Sequence, residues 1–146
     1  DSEKTADMLT ELDEDVREIL RVEYVALFLE TRKRDTRSFE SVLGAHNIVK
    51  LVPAGFVDTY LTLGRNTPVR DVILREIPRQ SESIYESDLS TIKSEALMRL
   101  KFGAGRLPGM LVLGAEDPHQ FSPHQGTDLL AFFAGVFERI MRRWLA

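Results

Sequence analysis

Between positions 4 and 20 the apolar residues are Met8, Leu9, Leu12, Val16, Ile19 and Leu20. Steps of three and four put them on one stripe, with acids over the opposite face, so an amphipathic helix is predicted over 4–20. The pattern then changes. "VEYVALFLE" (22–30) is β-rich and nearly all apolar, which requires cover on both faces and predicts an interior strand. "SFESVLG" (38–44) reads as the return strand of a hairpin, and "NIVKLVP" (47–53) as a further strand ended by Pro53. "AGFVDTYLTLG" (54–64) reads as a short helix closed by Gly64, and "VRDVILREI" (69–77) as a strand stopped by Pro78.

Residues 79–93, "RQSESIYESDLSTIK", are polar and serine-rich and predict a long irregular crossing with about one helical turn. "EALMRLKFG" (95–103) and "GMLVLGA" (109–115) are strands joined by a five-residue loop. A long helix then runs to Ala146 on Leu129, Leu130, Phe133, Val136, Phe137, Ile140, Met141 and Trp144. Ser122, Pro123 and Gln125 supply its start: a cap, a proline at the first helical position, and a capping box. Terminal helices around an antiparallel sheet predict one α+β domain over 1–146 with both helices on one sheet face. The other face of the apolar strands must be roofed by 53–66 and 79–94, an arrangement that can form a ligand pocket.

Composition narrows the function classes. The 146 residues include no cysteine, which excludes disulfides, thiolate metal sites and cysteine nucleophiles. No apolar run approaches the roughly 20 residues of a membrane span, so cytoplasmic residence without membrane contact is expected. The chain starts at Asp1, and helix 4–20 is free to continue an upstream segment. Net charge is −4 and unevenly spread: residues 1–18 hold eight acids against Lys4 and Arg17, while Arg139, Arg142 and Arg143 make the C-terminus basic. The one strongly basic stretch, "RKRDTR" (32–37), reads as a solvated loop tip, so no nucleic-acid partner is expected.

The stretch "LGAEDPHQFSPHQGTDLL" (113–130) poses a choice between a chemical site and a joint. Asp117, His119 and His124 are metal-ligand types, yet their spacing matches no established metal pattern. The joint reading uses more of the residues. Gly114 ends a strand, Asp117 and Pro118 turn, Phe121 returns to the core and Ser122 caps the helix. His46 stands alone before the third strand, and no G-x-S-x-G or phosphate-loop pattern accompanies any histidine. No catalytic residue, metal or cofactor is assigned.

The element order, together with "SEALMRL…PGMLVLGAEDPHQFSPHQGTDLLAFFAGVFERIMRRWL", resembles a GAF domain. In many such domains a strand ending in G-x-L-x-L-G precedes an F-S motif at the last helix. More narrowly, the stretch from Leu113 to Leu130 resembles the bacterial domain-of-unknown-function family 484, departing at Ala115 where serine is usual. The resemblance implies a GAF-like fold, a small molecule bound on the loop-covered sheet face, and signalling through dimerised terminal helices. The cysteine-dependent chemistry of some GAF branches does not carry over.

On that basis the expected function is a non-catalytic sensory or regulatory domain. The ligand candidates are Phe56 and Tyr60, one helical turn apart, Tyr85 in the long crossing, and Arg99, which falls mid-strand and needs solvent, an anion or an acid. The alternatives are a protein-interaction and dimerisation module with no ligand, and a cysteine-free, metal-dependent hydrolase using Asp117 and the histidines. The wide apolar stripe of the last helix, including Phe132, Val136 and Ile140, predicts a homodimer built on the terminal helices.

Overall fold

A computed structural model describes residues 2–32, 48–78, 82–85, 91–122 and 128–145. Its first element, α1 (Ser2–Leu20), is followed by strand β1 (Tyr24–Thr31) and strand β2 (Val49–Pro53). Helix α2 (Phe56–Thr62), strand β3 (Val72–Glu76) and the single turn α3 (Glu82–Tyr85) come next. Strands β4 (Ser94–Leu100) and β5 (Gly109–Ala115) then lead to α4 (Asp128–Leu145). The predicted return strand 38–44, His46, nearly all of the basic tip, the capping residues Pro123 to Gln125, His124 and the Trp144 side chain lie outside the described residues.

The five strands form one sheet in the order β2-β1-β5-β4-β3. The α+β class expected from the sequence is observed, with one difference: the sheet is mixed. β1 runs parallel to β2, pairing Leu27 with Val49 and Thr31 with Pro53, while all other neighbours are antiparallel. A parallel neighbour needs a crossover of a dozen or more residues instead of a tight turn, and residues 32–48 are long enough to make one. Strand direction is not encoded in apolar runs, so the sequence pattern could not reveal it.

The sheet separates two cores, because successive side chains on a strand point to opposite faces. Val25, Leu27 and Leu29 of β1, Ala96, Met98 and Leu100 of β4, and Leu111 and Leu113 of β5 face the terminal helices. There they meet Leu9 and Val16 of α1 and Leu130, Phe133, Phe137 and Met141 of α4. The intervening residues Ala26, Phe28, Leu97, Met110 and Val112 face Val57, Tyr60 and Leu61 of α2, with Ile84 and Tyr85 of α3. Both helices therefore share one face and the short elements roof the other, as predicted. β1 and β5 are buried almost throughout because each has strand neighbours on both sides and cover on both faces.

The helix ends have local causes. Arg21 adopts a left-handed conformation (φ 54°), and the Val22 N–H reaches the Arg17 carbonyl at 3.3 Å, the wrap that closes a helix C-terminus. α2 ends the same way at Leu63 (φ 56°), with the Gly64 N–H on the Thr59 carbonyl at 2.9 Å. After β5 the described residues 116–122 turn the chain, as a joint does. Asp117 accepts the His119 N–H on Oδ1 at 2.8 Å, its carbonyl accepts from Ser94 Oγ at 2.7 Å, and Gln120 Nε2 donates to the Leu20 carbonyl at 3.0 Å. Phe121 is buried in the helix-side core.

Candidate functional site

Strand β4 carries a sequence, "SEALMRL", in which both faces are covered. Glu95, in phase with Leu97 and Arg99, is therefore driven to the roofed face and is fully buried. Its row across the sheet is set by strand register: Tyr24 pairs with Gly114, Gly114 with Glu95, and Glu95 with Arg75. A buried carboxylate is costly unless it is paired and hydrogen-bonded, and this one is both.

Three donors converge on it. Arg75 Nε donates to Glu95 Oε2 at 2.7 Å, and the phenols of Tyr60 and Tyr85 donate to Oε1 at 2.8 Å and 2.7 Å. Tyr60 arrives from α2 and Tyr85 from α3, so the acid ties both roof elements to the sheet. Arg75 also lies over the Tyr60 ring, 5.0 Å from its centroid. Gly114 makes room for this convergence. A Cβ there would stand 3.0 Å from Tyr85 Cε1, 3.0 Å from Ile92 Cγ2 and 3.1 Å from the Tyr24 Cβ. Tyr24 packs edge-on against Tyr85 and donates its hydroxyl to the Ile84 carbonyl at 3.1 Å.

Burial holds the phenols of Tyr60 and Tyr85 well above the ordinary tyrosine range, and the negative charge of Glu95 adds to the effect. They are locked as neutral donors. Arg99 is held above its ordinary value chiefly by its hydrogen bond to Asp58.

A second buried acid holds the other end of α2. Gly55 makes no side-chain cap, and the Gly55 and Val57 N–H groups donate instead to Glu30 of β1, at 2.9 Å on Oε1 and 2.8 Å on Oε2. At the opposite end Arg75 donates to the carbonyls of Leu61 and Tyr60 at 3.2 Å and 3.0 Å. An anion at the helix N-terminus and a cation at its C-terminus match the helix dipole.

Of the four sequence candidates, Tyr60 and Tyr85 meet at Glu95. Phe56 stands beside them, its ring parallel to those of Phe28 at 5.9 Å and Tyr60 at 6.4 Å. Arg99 is separate: at the roof margin it forms an ion pair with Asp58 of α2, Nε to Oδ1 at 2.8 Å, which answers its need for an acid. Sequence reasoning missed Glu95, Arg75, Glu30 and Asp58. For the two buried acids a signal was present, because a charged residue inside a strand covered on both faces must find partners. The partners themselves came from elements 10 to 35 residues away in the chain, which no local pattern marks.

Of the joint's metal-ligand types, Asp117 and His119 are described and His124 lies outside the described residues. Among the described residues no group of three or more His, Asp or Glu side chains could hold an ion, and Asp117 is engaged by the His119 backbone. Among the described residues no helix is long and apolar enough to cross a membrane. Comparison with curated proteins finds no match. The profile of the family described as "Protein of unknown function, DUF484" matches residues 1–146, and so the chain, a buried carboxylate under a two-element roof on a mixed sheet, belongs to that family.

Proposed function

We propose that the chain is a non-catalytic regulatory domain that binds a small molecule on the roofed face of its sheet and dimerises through α1 and α4. One observation carries this reading: a carboxylate, a guanidinium and two phenols converge beneath the roof among aromatic and apolar side chains. Such a cluster is an expensive way to hold a roof, since apolar residues of similar volume commonly do so at equal or better stability. A few converging polar groups among aromatic and apolar ones are what a small-molecule site requires. The resemblance to GAF domains points to the same sheet face.

Native mass spectrometry of the purified protein tests both halves together. The expected result is a dimer retaining a small molecule, with the added mass lost in Tyr85→Phe. A clean apo mass in the wild type, unchanged after incubation with a metabolite extract, would remove ligand binding. Stoichiometric zinc would instead favour metal-dependent chemistry.

The second reading, an interaction module without ligand, draws on a different observation. Both oxygens of Glu95 are already occupied by the protein's own donors, and Phe132 on α4 is 60% exposed. A dimer with an apo mass is the outcome it predicts.

A further inference from the structure

We infer that α2 is a hinged lid, opening as one unit about left-handed residues at each end and held shut by buried charges. The inference rests on the roofed face being the binding face, and it supplies the route by which a ligand would reach it. Four independent features of the described residues support it.

The hinges come first. Gly55 precedes the helix at φ 92°, and Leu63 and Gly64 follow it at φ 56° and 74°. Leu63 and Gly64 form the wrap that closes the helix, so the chain changes direction sharply at both of its ends. Next, the helix has seven residues, too few to persist in water by itself, so its order comes from the sheet beneath it. The latches are the third feature. The N-terminal amides are held by Glu30, the C-terminal carbonyls by Arg75, and the middle by Tyr60 on Glu95. All three latches are polar and directional, so each is either made or broken. Finally, Asp58 reaches across the rim to Arg99 and is 43% exposed, a catch that water can compete for.

Opening would move Val57, Tyr60 and Leu61 away from Phe28, Leu97 and Val112, and would free Glu95 Oε1 of one of its two phenols. Tyr85 and Arg75 would stay on Glu95, because they come from α3 and β3. The uncovered face would present a carboxylate that has lost one of its three donors, among apolar side chains. That surface suits a ligand with an N–H or O–H donor on an apolar body.

Amide hydrogen exchange followed by mass spectrometry tests the lid without any ligand. In the wild type, residues 55–64 should exchange on the order of a hundred-fold faster than β5, with little dependence on low denaturant, the signature of local opening. Glu30→Gln removes one of two charged acceptors and should speed exchange roughly ten-fold or more across all of 55–64, leaving β5 unchanged. Asp58→Asn, at the rim, should give a smaller acceleration with the same spread and serves if Glu30→Gln does not fold. Exchange of 55–64 that merges with β5 in rate and denaturant dependence would overturn the lid. So would an acceleration confined to the Gly55 and Val57 amides. An opening lid with a clean apo mass would leave the hinge standing and remove the ligand.

Discussion

Replacing Glu95 by glutamine changes one oxygen into an NH2 group and removes one charge, with almost no change in volume. The carboxylate is fully buried and accepts from three donors, at 2.8 Å, 2.7 Å and 2.7 Å. A carboxamide has a single acceptor oxygen, so one orientation sets NH2 against the two phenols and the other sets it against Arg75 Nε. Against Arg75 Nε a donor faces a donor; against the phenols, which can accept as well as donate, each O–H must turn away and lose its charged acceptor. Arg75, whose side chain is only 16% exposed, also loses its counter-charge. Breaking a buried pair by removing one partner typically costs about 3–5 kcal/mol. Arg75 keeps its bonds to the Tyr60 and Leu61 carbonyls, which places the expected loss near the lower end, about 3 kcal/mol. Against a total of about 5–15 kcal/mol for a domain, that is a large fraction. Guanidinium unfolding followed by far-ultraviolet circular dichroism would measure it, with Glu76→Gln on the exposed end of β3 as a control within about 0.5 kcal/mol of wild type. Tyr85→Phe alone should cost about 1.5–3 kcal/mol, the value of a hydrogen bond to a charged group. In the Glu95→Gln background it should cost clearly less, because the charged acceptor is gone. A Glu95→Gln loss below about 1 kcal/mol, or strict additivity with Tyr85→Phe, would refute the reasoning that the cluster is one coupled unit.

The phenols of Tyr60 and Tyr85 are raised above their ordinary value of 10.0, so the folded chain holds those two protons more tightly than the unfolded one. The stabilisation is fully present below pH 10.0 and is lost as pH rises above it, by up to about 2.7 kcal/mol per pH unit for two protons. Tyr85→Phe should roughly halve that slope in alkaline unfolding titrations, and an unchanged slope would count against it. Gly114→Ala drives a methyl group against Tyr85, Ile92 and Tyr24 and should destabilise by about 1–3 kcal/mol in the same unfolding assay. Phe132→Glu should convert a dimer into a folded monomer in sedimentation velocity, with the wild-type dimer little changed by salt. A wild type that stays monomeric at high micromolar concentration would refute the terminal-helix interface.

Periodicity and composition alone determined a good deal. The stripe of α1, the all-apolar β1, the strand pair β4 and β5, and the stripe of α4 each repeat at the spacing of their element, so burial follows from local order. From that came the α+β class, two helices on one face, and a roof on the other. The joint at Asp117 and Phe121 was legible for the same reason, since turn and re-entry residues act within a few positions of each other. Whether Arg99 would meet solvent or an acid was not, because Asp58 lies 41 residues away. The parallel pairing of β2, the capping of α2 by Glu30 and Arg75, and the meeting of Tyr60 and Tyr85 at Glu95 depend on register across strands and on elements distant in the chain. Charge placement near helix ends showed the same divide. The first helix is acidic and the C-terminus carries arginines, yet among the described residues no ion pair joins α1 to α4. Arg17 pairs with Asp13 in its own helix, and Arg142 donates to the Lys101 carbonyl. A hydrophobic stripe dictates which face turns inward because burial is non-directional and tolerant of detail. A buried polar contact requires specific atoms at hydrogen-bonding distance, and only the folded chain decides which atoms those are.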